Sequence, residues 1–246
     1  PSRQDEDVRD HLRLYEDFKG DLRKTKQRLL HFLLRHRIRY TQGTNWTQRH
    51  KQWLKQLELD SPLAQQTLEE YLAQIEELEE KLQRIKLGIE TVAKEKRYEE
   101  KVLRLKAFKG IETLTALSLV VEIVDFRRFA RAEQLMAFLG LVPSERSSGD
   151  KRRLGGITKA GNTQLRKLLI EAAWQYRNYH PNSKRLKARR AQVPANIASY
   201  AHKAGRRLNK KYLRLIYTGK CSQVAATAVA RELSGFIWGA MVEKVA

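Results

Sequence analysis

Four consecutive heptads between residues 68 and 92 constrain this chain more than any other feature. Leu68, Ile75, Leu82 and Ile89 recur every seven residues, and Tyr71, Leu78, Ile85 and Val92 recur three residues behind them. Apolar residues at the first and fourth positions of a seven-residue repeat place a continuous seam along one side of a helix, the pattern of a coiled coil. Glu69, Glu70, Glu76, Glu77, Glu79 and Glu80 flank the early part of the seam, and Lys81, Arg84, Lys86 and Lys94 the later part. That polarity suits the helix dipole. Residues 8–36 offer a partner, because Val8, Leu12, Tyr15, Phe18, Leu22, Leu29 and Leu33 follow helical spacing with no proline among them. The expectation is a helix over 63–104 paired antiparallel with 8–36, either within the chain or with the same hairpin of a second subunit. Gly43, Thr44, Asn45 and Pro62 interrupt the pattern between the two. Trp46, His50, Trp53, Leu54 and Leu57 then share one side of a short helix, which makes 38–62 a cap. His50 beside two tryptophans reads as a packed or surface histidine rather than a ligand.

Charge divides the chain. Residues 1–100 hold 20 Lys and Arg against 19 Asp and Glu, whereas residues 101–246 hold 29 against 9. A part carrying net +20 faces a polyanion, and nucleic acid is expected before an anionic membrane because no segment reads as a cationic amphipathic anchor. No apolar run approaches the length of a membrane span and no signal peptide is evident, so a soluble, cytoplasmic protein is expected. Cys221 is the single cysteine and the six histidines are scattered. Neither a disulfide within the chain nor a cysteine-based metal site is expected.

The second part begins near Leu105, giving an expected division into residues 1–104 and 105–246. The segment LKAFKGIETLTALSLVVEI at 105–123 reads as helix, glycine turn at Gly110, helix, with Thr113 available as a cap. It resembles a helix-hairpin-helix, a module that offers backbone N–H groups to a nucleic-acid phosphate, with Lys109 and Gly110 at its turn. Glu112 stands where such a hairpin usually carries its second glycine. Further helices are expected over 131–139, from Thr163 to Tyr179, and through 183–246. The last of these carries a basic face of Lys184, Arg185, Lys187, Arg189, Arg190, Lys203, Arg206, Arg207, Lys210, Lys211 and Arg214, with Tyr200, Tyr212 and Tyr217 interleaved. Trp174, Tyr176 and Tyr179 are spaced for core packing. No stretch alternates as a strand does, so the chain is expected to be all-α.

One stretch is too loaded for a plain loop. VPSERSSGDKRRLGGITKAGNTQLRK, residues 142–167, sets Pro143, adjacent serines Ser147 and Ser148, and Gly149, Gly155 and Gly156 among seven cations: Arg146, Lys151, Arg152, Arg153, Lys159, Arg166 and Lys167. The run EQLMAFLGLVPSERSSGDKRRLGGITKAGNTQLRKLLIEAAW at 133–174 resembles the C-terminal transposase domain of the insertion-sequence 110 (116/110/902) family, whose members are bridge-RNA-guided DNA recombinases. FLLRH at 32–36 and NWTQRHKQWL at 45–54 are similar to the middle region of that family. The resemblance implies three parts: a RuvC-like nuclease domain with a metal-binding acidic quartet, a coiled coil, and a domain with a nucleophilic serine. The first has no counterpart here, so a piece of a longer protein is expected, with Mg2+ on the absent domain and no cofactor in this chain. Asp5, Glu6, Asp7 and Asp10 fall at a helix start, where acidic residues are favoured anyway, and are not assigned to metal.

Matching the family's turn to Gly140, Leu141, Pro143 and Gly149 makes Ser148 the implied nucleophile. A serine hydroxyl is weakly nucleophilic, and attack on a phosphodiester builds charge on the phosphoryl oxygens, so cations and N–H donors are needed there. Arg146, Lys151, Arg152, Arg153 and Lys159 are candidates for that role. Lys159, Arg166 and Lys167 are expected nucleic-acid contacts, and Asn162 either a helix cap or a base contact. The resemblance implies duplex DNA and a guide RNA as partners, and the heptad seam predicts a homo-oligomer, a dimer or tetramer, through the coiled coil. Two other readings compete: a non-catalytic nucleic-acid-binding scaffold, and a tyrosine recombinase built on His202, Arg206 and Tyr212 or Tyr217.

Overall fold

The computed structural model describes residues 2–145 and 154–244. Among these, ten α-helices supply nearly all the regular structure, and the strands are limited to one two-stranded antiparallel ladder. The fold is all-α, as expected. The chain packs as two compact units, residues 10–88 on one side of the division and residues 1–9 with 89–246 on the other.

The 10–88 unit is a helical hairpin with a capped end. Helix α1 (Arg3–Arg35) and helix α3 (Pro62–Val92) run antiparallel, with α2 (Gln48–Lys55) lying across their junction. Leu29, Phe32 and Leu33 of α1 pack with Leu68 and Ile75 of α3 and with Leu54 of α2. The ammonium groups of Lys26 and Lys51 both reach Glu79, at 2.7 and 2.6 Å. Of the two partners left open for the heptad seam, the structure supplies the one within the chain. Helix α1 stops where Arg37 turns into the left-handed region at φ +59°, which lets the Ile38 N–H reach back to the Leu33 carbonyl at 2.9 Å. Ile38 then folds onto the core.

The cap is organised by His50. Thr47 caps α2, its hydroxyl accepting the His50 N–H, and the Trp46 N–H donates to His50 Nδ1 at 3.0 Å. The imidazole is fully buried among Tyr40, Trp46 and Trp53. Burial therefore lowers its pKa. His50 is a packed histidine.

The expected single helix over 63–104 is two helices. Helix α3 ends at Val92, turns occupy 93–98, and α4 (Glu99–Lys106) follows. The break exists because Tyr98 leaves the helical path to bury its ring, 2% exposed, and donates its hydroxyl to Asp5 Oδ1 at 2.9 Å. Burial, with the Asp5 carboxylate beside it, pushes the Tyr98 hydroxyl up to about 12. Burial alone would raise the Asp5 pKa, but hydrogen bonds from Ser2 and Tyr98 and the Arg97 guanidinium hold it below the usual range.

In the second unit, α10 (Ser222–Met241) is the central helix, packed against α4, α6 (Ala132–Phe138), α7 (Thr163–Trp174) and α9 (Ala195–Tyr217). Ala225, Ala226, Ala230 and Ala240 keep its surface low, so neighbours approach closely, and Val229, Leu233 and Ile237 fill the space between. Helices α5 (Thr113–Ile123) and α8 (Lys184–Arg190) complete the helical set. Tyr176 and Tyr179 are buried, matching their expected place in the core. One feature was not expected from the sequence: strands β1 (Pro143–Glu145) and β2 (Leu154–Ile157) pair antiparallel, Pro143 opposite Ile157 and Glu145 opposite Leu154. Three- and four-residue strands are too short for alternation to announce them.

Candidate functional site

The strands rise from a base that the backbone locks tightly. At the end of α6, Gly140 adopts φ +65° and Gly161, across the base, φ +95°. A Cβ on Gly140 would sit 2.0 Å from the Ala160 carbonyl oxygen, and one on Gly161 would sit 2.1 Å from that of Phe138. Only glycine fits either place. The two sides are stitched by N–H groups of Thr158, Lys159 and Asn162 donating to the carbonyls of Val142, Gly140 and Phe138. Lys159 itself holds φ +56°, an uncommon conformation for a lysine, and its side chain is exposed.

Arg166 braces this base from below. It is 8% exposed, and its guanidinium donates to the Leu139 carbonyl at 3.0 Å and to the Thr163 hydroxyl at 3.1 Å. The group expected to meet nucleic acid is occupied with the turn around Gly140. Lys167, one residue on, is exposed. Asn162 caps α7, its carbonyl oxygen accepting the Leu165 N–H at 2.9 Å, and its amide donates to Glu122 of α5 at 3.1 Å. The cap reading therefore holds for Asn162. Its tie to Glu122 was not foreseen, since forty residues separate them and no local pattern links them.

Ser148, with Ser147, Arg146, Gly149, Lys151, Arg152 and Arg153, lies outside the described residues. The described ends of that segment, Glu145 and Leu154, are paired across the ladder.

A second group surrounds Gly110. The turn between α4 and α5 is present, with Gly110 at φ +84° and pressed against the Ala172 backbone of α7. Lys109 donates its ammonium to the Asn178 carbonyl and lies over the Tyr179 ring, with burial lowering its pKa. Glu112, not Thr113, is the N-cap of α5, and it makes no side-chain cap bond. Its carboxylate instead gathers Arg185 at 3.0 Å and Arg189. Burial opposes ionisation there, but Arg189, Arg185 and Lys106 outweigh it and hold the carboxyl below its ordinary range. The cleft these residues line, about 390 Å3, presents cations already matched by an anion.

The expected basic face of 183–246 is sorted by the fold. Arg190 is buried, donating to the carbonyls of Ala107 and Ala201 and to the Tyr179 hydroxyl. Arg207 and Lys211 pair with Glu232. Lys203, Arg206, Lys210 and Arg214 remain exposed.

The residues of a tyrosine recombinase are not brought together. Tyr212 is buried on the inner face of α9 while Arg206 is exposed on the outer one. Tyr217 is eleven residues from Arg206, about 16 Å along the helix. Acidic residues near the start of the chain do not fit a metal either. Asp5 is held by Tyr98 and Arg97, Glu6 by Arg9, Asp7 by Arg3 and Asp10 by Arg13. Among the described residues no group of three or more His, Cys, Asp or Glu is placed to hold a metal ion. No described helix is long and apolar enough to cross a membrane.

Comparison with known proteins places these features. Residues 102–188 match the family described as Transposase IS116/IS110/IS902 family, a range that runs from α4 through the glycine turn and both strands to α8. The chain is similar over 97% of its length, at 36% identity, to the y4qE protein of Sinorhizobium fredii, which is named as a transposase. It is 35% identical over 87% of its length to the transposase for insertion sequence element IS1533 of Leptospira borgpetersenii. A 70-residue stretch is 49% identical to the transposase for insertion sequence element IS1111A of Coxiella burnetii. The chain spans 58% and 63% of the lengths of the first two relatives. Residues 102–188, with the locked base and its two strands, thus match the IS116/IS110/IS902 transposase family, and the chain is similar over 97% of its length to a protein named as a transposase.

Proposed function

We propose that this chain is the coiled-coil and catalytic-serine part of a DNA transposase, and that Ser148 is its nucleophile. The observation that carries the reading is the locked base at Gly140 and Gly161, which holds the two ends of the serine segment side by side within the region matched to the transposase family. In the proposed reaction the Ser148 oxygen attacks a DNA phosphorus and one bridging P–O bond breaks. The serine proton passes to the departing oxygen, which leaves as a free hydroxyl. One phosphodiester is exchanged for another, so the reverse attack by a hydroxyl of a second strand reseals DNA without a nucleotide cofactor. Arg146, Lys151, Arg152, Arg153 and Lys159 would offset charge at the phosphoryl oxygens. Arg166 would act indirectly, by fixing the turn beneath them.

Guide RNA recognition and assembly into a dimer or tetramer belong to the same proposal, the first supported by the resemblance and by the excess of cations in residues 101–246, the second by the heptad seam at 68–92. Magnesium, if the reaction uses it, would be held by a nuclease-like domain outside these 246 residues, since the acidic side chains near Asp5 are engaged by hydrogen bonds and cations. The competing reading is a nucleic-acid-binding scaffold without chemistry. A denaturing gel that looks for a protein–DNA adduct on a nicked substrate, followed by mapping of the linked residue, separates the two. An adduct on Ser148 supports the transferase, and binding without any adduct in the longer protein supports the scaffold.

A further inference from the structure

Helix α9 presents a row of cations that the fold leaves unmatched. Lys203, Arg206, Lys210 and Arg214 recur every three or four residues on its outer face and are exposed. The inner face, with Ile197, Ala201, Ala204, Leu208 and Tyr212, is buried. The arrangement is not shared by the neighbouring charges. Arg207 and Lys211, one step around the helix, are both drawn to Glu232. The four outer cations make no ion pair among the described residues. At the end of the row stands Tyr217, 94% exposed, beside the exposed Leu213.

We propose that this face of α9 binds single-stranded DNA, with the four cations following one phosphate backbone and the Tyr217 ring stacking on an unpaired base. The inference rests on the transposase reading, which makes DNA the polymer. From Lys203 to Tyr217 the row covers about 21 Å along the helix axis. A single line of positive charge matches a single strand of phosphates, and an aromatic ring at its end has no place to stack in an intact duplex. The negative end of the helix dipole also falls at Tyr217, where a neutral base is better tolerated than a phosphate.

The test measures fluorescence anisotropy of the full chain with an oligothymidylate strand, a duplex, a single-stranded RNA of the corresponding sequence and vesicles containing phosphatidylglycerol, over a range of salt. Tyr217→Ala is expected to weaken oligothymidylate binding about tenfold, Tyr217→Trp to restore it, and neither to move duplex binding more than about twofold. Replacing Lys203, Arg206, Lys210 and Arg214 with Gln is expected to reduce the salt slope for the single strand by about 2 to 3 units. These positions are exposed, so unchanged helical circular dichroism and thermal midpoint are expected in every variant. Equal losses for strand and duplex, losses confined to RNA or to vesicles, or no loss at all would overturn the proposal while leaving Ser148 to be judged by its own adduct. If the unsubstituted chain binds no nucleic acid of any kind, the transposase reading fails together with it.

Discussion

His50 shows how one side chain decides a local fold. Its Nδ1 accepts the Trp46 N–H, which fixes the other nitrogen as the protonated one, in a pocket of three aromatic rings. Protonating Nδ1 would destroy the acceptor and bury a charge. Because the folded-state pKa is lowered, the unfolded chain takes up the proton first as pH falls. The stabilisation is present above the unfolded value of about 6.5 and is lost below it. Melting of the cap, followed by tryptophan fluorescence, is therefore expected to shift to lower temperature between neutral pH and pH 5, and a His50→Gln variant should flatten that dependence. At the site, Asn162→Ala removes both the α7 cap and the tie to Glu122, and is expected to cost about 1 to 2 kcal/mol in denaturant unfolding. Arg166→Leu should cost about 2 to 3 kcal/mol, because it leaves the Leu139 carbonyl buried without its donor. A stability loss that large for Arg166, joined to an unchanged affinity for DNA, distinguishes a brace from a contact.

At the scale of elements, the long helices were legible because periodicity over four heptads accumulates signal that no single residue carries. The cap over 38–62 was legible for a similar reason, since Trp46, His50, Trp53 and Leu54 cluster on one side. What the sequence concealed depends on distant partners. The break at 93–98 follows from the burial of Tyr98 against Asp5, ninety-three residues away, and nothing within the α3 sequence announces it. The burial of Arg166 and Arg190 is likewise invisible to a charge count, because a guanidinium among carbonyl oxygens looks the same in sequence as one in water. The seam of α3 has a further consequence. Ile75 is buried inside the hairpin itself, so Ile75→Ala is expected to destabilise the 10–88 unit by about 2 to 4 kcal/mol whatever the assembly state. In the proposed oligomer a second copy would meet exposed apolar residues of α3 such as Leu63, 72% exposed, and Leu87, 63% exposed. Leu63→Lys with Leu87→Lys is expected to lower the mass measured by sedimentation equilibrium while leaving the thermal midpoint nearly unchanged. An unchanged mass would remove these leucines from the proposed oligomer interface.

Across the whole molecule, the asymmetry of charge and the locked strand base are the two features on which the proposed reaction rests. The 29 cations of residues 101–246 against 9 anions attract a polyanion, and one hydroxyl among them adds little to affinity, yet without it the proposed transfer has no nucleophile. The most direct test is the Ser148→Ala substitution in the longer protein, assayed with DNA and guide RNA for a covalent protein–DNA adduct on a denaturing gel. The adduct and strand cleavage are expected to vanish while DNA and RNA affinity stay within a few-fold, and Ser147→Ala is expected to keep much of the activity. An adduct that persists in Ser148→Ala, or one abolished by Ser147→Ala alone, would show that Ser148 is not the nucleophile.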